Sequence, residues 1–317
     1  MKNLKDVILE GLADWGEDET LNKRMSKQTT KEAIKQEIID WIVDNTNWRI
    51  YKNKLKFDFD TSPITVDYDS DIHFKPNITE LTNGIFQWGE VGGGFKCEYC
   101  RSLKSLEGAP KKVRKGFSCE SCVSLKSLEG APKEVGVDFI CSYCKSLESL
   151  EGAPEKVGGF FDCRYCDSLK TLKGAPEKVR EFSCEYCTSL ISLEGAPKEV
   201  SDFFSCSRCT SLKSLKGAPE KIDGTFYCDN CTSLKSLEGA PKEAESFYCD
   251  RCESLTTLEG APKKVGNLFA CENCSSLKSL KGAPETVGGY FNCKYCGTKF
   301  TEDDIKKVSN VEGKIRC

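Results

Sequence analysis

With a single histidine in 317 residues, the chain lacks most of the usual equipment of an enzyme. His73 lies in the strand-like segment Ile72-His73-Phe74, where a lone histidine reads as structural. No nucleophile elbow, phosphate-binding loop or Gly-rich dinucleotide turn is present, so those routes to catalysis are excluded. Asp67, Asp69 and Asp71 alternate as in a calcium loop, but the turn glycine and closing glutamate of such a loop are missing. No long apolar run occurs, and Met1-Lys2-Asn3-Leu4-Lys5-Asp6 opens a charged helix rather than a secretion signal. The expectation is a cytoplasmic protein with no membrane partner. The net charge is only −3, with no clustered basic stripe, so nucleic acid is not an expected partner. Only 38% of residues are hydrophobic, little for one compact core.

What the chain does have is repetition. The pattern F-x-C-x-x-C returns ten times, from Phe95–Cys100 to Phe291–Cys296, nearly always after 22 residues. Nine copies of L-x-G-A-P lie between, the first at Leu106–Pro110 and the last at Leu280–Pro284. A fixed period of this size is the signature of a solenoid, in which each coil buries a thin core against its two neighbours. Phe and the first Cys are two apart and fall on one face of a strand, while the residue between them varies freely. The two Leu of S-L-x-S-L, three apart, fit a bent arc that drops both side chains into the same core, and Gly-Ala-Pro then turns the chain. Two repeats are a residue short, before Cys184 and before Cys249, and both gaps fall between the Val position and Phe. A loop there would absorb the loss, whereas a strand would flip its faces. Lys and Glu alternate through K-S-L-E-G-A-P-K-E and read as a solvated, self-neutralising surface.

The 21 cysteines admit three readings. They can be reduced core residues, stacked one per coil and touching the backbone of the adjoining turn. They can hold zinc, since pairs in successive coils lie about 4.8 Å apart. Against that, the first Cys is expected in a strand rather than in the tight turn of a zinc knuckle, and glycine follows the second Cys only at Cys296-Gly297. Disulfides within a pair are disfavoured, because cysteines three apart on extended backbone exceed bridging distance. No cofactor is expected on the first reading. Cys317 stands outside the ten pairs.

F-x-C-x-x-C-x-S-L-x-S-L is similar to the leucine-rich repeat frame L-x-L-x-x-N/C-x-x-L-x-x-L, with Phe and Cys in the first two Leu places. It resembles in particular the short C-x-x-C, L-x-G-A-P repeats of gut bacteria and their phages. The resemblance covers 78–296 and departs from the family in its near lack of convex-side helix sequence. It implies a curved parallel β-sheet of about ten coils of 21–22 residues.

The flanks differ. Leu4, Val7, Ile8 and Leu12 have helical spacing; a polar run from Glu17 to Lys31 follows, and Thr29-Thr30-Lys31-Glu32 reads as the capped start of a second helix carrying Ile34, Ile38, Trp41 and Ile42. Leu55–Phe59 and Ile64–Tyr68 alternate as hairpin strands around Thr61-Ser62-Pro63, and Ile78–Gly84 is an imperfect S-L-x-S-L-x-G. The expected organisation is an α+β capping domain over 1–77, the solenoid over 78–296 and a short cap over 297–317, with a helix from Thr301 to Val308 and a last edge strand beyond Val311.

In a leucine-rich horseshoe the solvent side of the strands lines a concave face. Three variable columns are expected there: the residue after Phe and the two between the cysteines. They carry Tyr99, Tyr143, Tyr165, Tyr186, Arg208, Tyr227, Tyr248, Arg251 and Tyr295, residue types enriched at binding hot spots. The expectation is a non-enzymatic scaffold that binds a protein partner there; the resemblance implies the role of a phage protein acting on a host defence protein in the bacterial cytosol. The alternative is a zinc-binding structural protein, and cross-strand stacking alone is the plainer role for the tyrosines.

Overall fold

The computed structural model describes residues 21–47 and 49–317; the helical stretch expected over 2–14 and Trp48 lie outside them. The chain is a curved parallel β-solenoid of about twelve turns with few helices. Each coil contributes one short strand at its phenylalanine, and successive strands pair in parallel with Phe opposite Phe: Phe95 with Phe117, Phe117 with Phe139, Phe182 with Phe204, and so on to Phe269 with Phe291. These strands build a 15-stranded sheet. In the first coils the Val positions lie in strands apart from the repeat Phe, Phe86–Val91, Lys112–Val113, Glu134–Val135 and Lys156–Val157, which with Leu55–Asp58 and Ile64–Tyr68 make a separate six-stranded sheet.

The repeat gives this fold because each invariant position buries against its own copy. All ten phenylalanines are fully buried. From Phe95 to Phe269 their rings stack at 5.2–5.8 Å between centroids. Each buried ring is worth roughly 1.5–3 kcal/mol in transfer alone. The Leu pairs, such as Leu103 and Leu106, are also fully buried, on the bent arc that their spacing implies. In the turn that follows, Gly130 has φ +89°, and a Cβ there would meet the Glu107 backbone nitrogen at 2.3 Å. Glycine is therefore required both by conformation and by the approach of the previous coil. On the surface, exposed Lys and Glu of neighbouring coils pair, as Lys112 and Lys156 do with Glu134 at 3.2 and 3.0 Å.

Two expectations about local structure need correction. The shortened repeats do not lose a loop residue: Lys178–Ser183 and Glu243–Tyr248 are continuous strands. The register against the neighbouring strands Glu199–Ser205 and Lys264–Ala270 shifts between Val179 and Glu181 and between Ala244 and Ser246. A bulge absorbs the residue, so both Val179 and Phe182 stay buried. The first described helix runs from Leu21 to Asn45, so Thr29 and Thr30 lie inside it rather than at its start. Its Ile34, Ile38 and Ile42 are buried, and Trp41 meets Phe74 and Phe86 edge-on, closing the end of the phenylalanine stack. Leu55–Asp58 and Ile64–Tyr68 form the hairpin, and the second of these strands also pairs in parallel with Phe86–Val91. At the other end Thr301 caps the helix Glu302–Lys306 with a complete capping box. Asn310–Val311 and Ile315–Arg316 then pair onto Thr286–Val287 and Phe291–Asn292.

Candidate interaction face

The sheet strand ends one residue after Phe, and C-x-x-C is a tight turn, not strand. The residue before the second Cys is left-handed in all ten coils, with φ of 54–63° at Tyr99, Ser121, Tyr143, Tyr165, Tyr186, Arg208, Asn230, Arg251, Asn273 and Tyr295. This corrects the placement of the cysteines and of the third variable column. The turn also removes the distance argument against a bridge within a pair. What separates the two thiols is direction. The second Cys donates its S–H back to the first Cys carbonyl of the preceding coil: Cys122 to Cys97 O at 3.0 Å, Cys209 to Cys184 O at 3.1 Å, Cys274 to Cys249 O at 3.2 Å. The first Cys donates forward, as Cys228 does to Tyr248 O at 3.2 Å and Cys249 to Ala270 O at 3.2 Å.

Burial pushes the thiols of Cys141, Cys163, Cys184, Cys206, Cys228 and Cys249 well above the usual cysteine range. A thiolate is the species that metals and electrophiles meet, so these groups are held in their inert form. Among the described residues no three Cys, His, Asp or Glu side chains are disposed to hold one metal ion. Cys317 falls opposite Cys293 by continuation of the pairing of Arg316 with Asn292, as the first cysteine of one further coil.

The turn fixes the third column. Tyr143 and Tyr165 stack at 4.4 Å with planes 6° apart, and Tyr165 and Tyr186 at 4.3 Å and 15°. The Arg208 guanidinium lies over Tyr186 at 5.1 Å, so four successive coils form one strip. Tyr99 (50% exposed) is cut off from it by the coil of Ser121, and Tyr295 (74% exposed) stands alone near the far end. Tyr227 and Tyr248 belong to the strand column and stack with each other at 4.9 Å, and Arg251 is exposed in the turn beyond. A left-handed residue with a Cβ costs about 1–2 kcal/mol, and Gly or Asn is the cheap occupant. Asn holds that position only in Asn230 and Asn273.

The column after Phe is not uniformly solvated: Ser118, Asp162, Ser183, Ser205 and Ala270 are buried by the residues around them. Asp162 is paired with Arg164 at 2.8 Å. A further column escaped the sequence reading, the residue before Phe. It brings Phe160 to 5.7 Å from Phe203, and Phe203 to 6.4 Å from Tyr227, a half-buried aromatic patch on the same side as Tyr248. Its signal was present in the period, as Phe160, Phe203, Leu268 and Tyr290 at one repeat position.

Beside this patch runs a row of carboxylates. Asp229 accepts the Asp250 N–H at 2.9 Å, Asp250 accepts the Glu272 N–H at 2.6 Å, and Glu272 accepts from the Asn292 side chain at 3.0 Å. Burial, with Asp229 and Glu272 adding repulsion, pushes Asp250 up to about 6; burial also raises Asp229 and Tyr248. His73 lies far earlier, in the strand Ile72–His73, and burial lowers its pKa. Asp71 accepts the Gly94 N–H at 2.7 Å, a backbone tie of the same kind as Asp250 makes. Among the described residues no helix is long and apolar enough to cross a membrane. Comparison with known protein families, curated proteins and solved structures finds no match.

Proposed function

We propose that the chain is a non-enzymatic scaffold of the leucine-rich repeat kind that holds a protein partner on the concave side of its long sheet. The observation that carries this is the tyrosine strip. Tyr143, Tyr165 and Tyr186 sit where Asn or Gly would be cheaper, and they present stacked rings toward solvent. Rigid aromatic area of this sort binds at low entropy cost. The similarity of the repeat to those of gut bacteria and their phages supports a cytosolic setting and a host protein as target, such as a component of a defence system. The test is calorimetry with a partner recovered from host cytosol. The Y143N/Y165N/Y186N variant keeps its circular dichroism and loses about 2 kcal/mol or more of binding free energy, as truncated hot spots do. Retained affinity would move the contact elsewhere, to the N-terminal end around Trp41.

A further inference from the structure

The face made by the strand ends and the C-x-x-C turns also says what kind of segment fits it. Along the column after the first Cys, Glu185, Asp229, Asp250 and Glu272 lie on this side at strand spacing, about 4.8 Å per coil. Of the basic groups nearby, Arg164 is bound to Asp162 and Arg208 lies on Tyr186, which leaves Arg251 in the turn and Lys294 at the end of the column against three adjacent carboxylates. On one flank of this row lie Phe160, Phe203, Tyr227 and Tyr248; on the other lie the left-handed tyrosines. Aromatic faces and carboxylates side by side attract the same group, a guanidinium or ammonium: the rings by cation–π contact, the acids by charge. Arg208 over Tyr186 and Arg164 over Phe160 at 5.8 Å are the chain's own examples of that contact on this face.

We propose that the partner seats an extended, arginine- or lysine-rich segment along this face, its cationic side chains lying between the aromatic columns and against Asp229, Asp250 and Glu272. This rests on the docking reading above and specifies the partner's chemistry. Asp250 and Glu272 already accept a backbone or amide N–H through one oxygen, and Asp229 accepts the Asp250 N–H on one oxygen and the Ser207 hydroxyl on the other at 3.4 Å, so the acids are held in place before a cation arrives and little ordering is needed on binding.

Fluorescence anisotropy with a labelled nona-arginine peptide and a nona-glutamate peptide tests it at low salt. The arginine peptide should bind, and the glutamate peptide should not. The D229N/D250N/E272Q variant, whose amides still accept the same N–H groups, should bind the arginine peptide about tenfold more weakly, whereas E155Q/E220Q/E238Q, with the same change of charge away from this face, should lose less than about twofold. D250N alone should give part of the loss in a protein whose circular dichroism is unchanged. Equal losses in the two triple variants would reduce the binding to net charge and overturn the proposal, as would no arginine binding at all. The docking reading fails separately: it falls only when Y143N/Y165N/Y186N keeps full affinity for the native partner, whatever the peptides do.

Discussion

The inside and the outside of each coil obey different rules. Inside, Phe and two Cys recur in all ten coils and the two Leu in nine of them, and they meet their own copies or a neighbour's backbone. Outside, the residues before and after Phe and between the cysteines change from coil to coil, although the backbone beneath them does not. Stacking explains the inner columns completely. It does not explain why five of ten left-handed turns hold tyrosine, a choice that carries a backbone cost. The inner columns therefore make the solenoid, and the outer ones vary without changing its backbone.

That division is breakable, first at its strongest point. Phe204→Ala, with stacked neighbours at 5.3 and 5.2 Å, should cost about 3–5 kcal/mol in urea unfolding. Loss should begin in the coils around it, since contacts are nearest-neighbour, and hydrogen exchange would show protection falling there first. An unchanged midpoint would mean that the inner face has been misassigned.

Next comes the thiol ladder. Cys209→Ala removes a buried sulfur and its S–H bond to Cys184 O at 3.1 Å, and should cost about 1–3 kcal/mol by the same measurement. Ligation of a metal by the pairs would show instead as a steep loss of stability on adding a chelator to the native protein.

On the outer side the sign reverses. Asp250 is held near pKa 6, above the ordinary value of about 4, so the folded state keeps a proton that the unfolded chain has released between those limits. Stability should then fall as pH rises from about 4 to about 6 and stay lower above. Asp250→Asn should flatten that slope and stabilise the protein at pH 7 by about 1 kcal/mol, allowing for solvent screening of a half-buried group. Thermal unfolding of both proteins at pH 4 and pH 7 checks it.

The sequence was most legible where the period is strict. Phe-x-Cys, the Leu arc and the Gly-Ala-Pro turn gave the coil and its buried face, because a position that repeats unchanged must face its own copy. The turn at C-x-x-C was hidden: no glycine marks it, and a tyrosine at positive φ carries no local signature. The bulges opposite Lys178–Ser183 and Glu243–Tyr248 were hidden for a different reason, since a missing residue looks the same in a loop and in a strand whose partner bulges. Within the candidate face, the row Tyr143, Tyr165 and Tyr186 followed from the repeat, while the Phe160–Phe203 contact skips the coil of Glu181 and needed coordinates.

The smallest expected effect is the most direct test of that inner–outer division. In Y143N/Y165N/Y186N the lost stacking, about 0.5–1.5 kcal/mol per pair, is offset by relief at three left-handed positions of about 1 kcal/mol each. Urea unfolding of this variant should therefore match the parent to within about 1 kcal/mol. A loss above about 3 kcal/mol would show that the tyrosines are there to hold the coils together, and that the outer face obeys the same rule as the inner one.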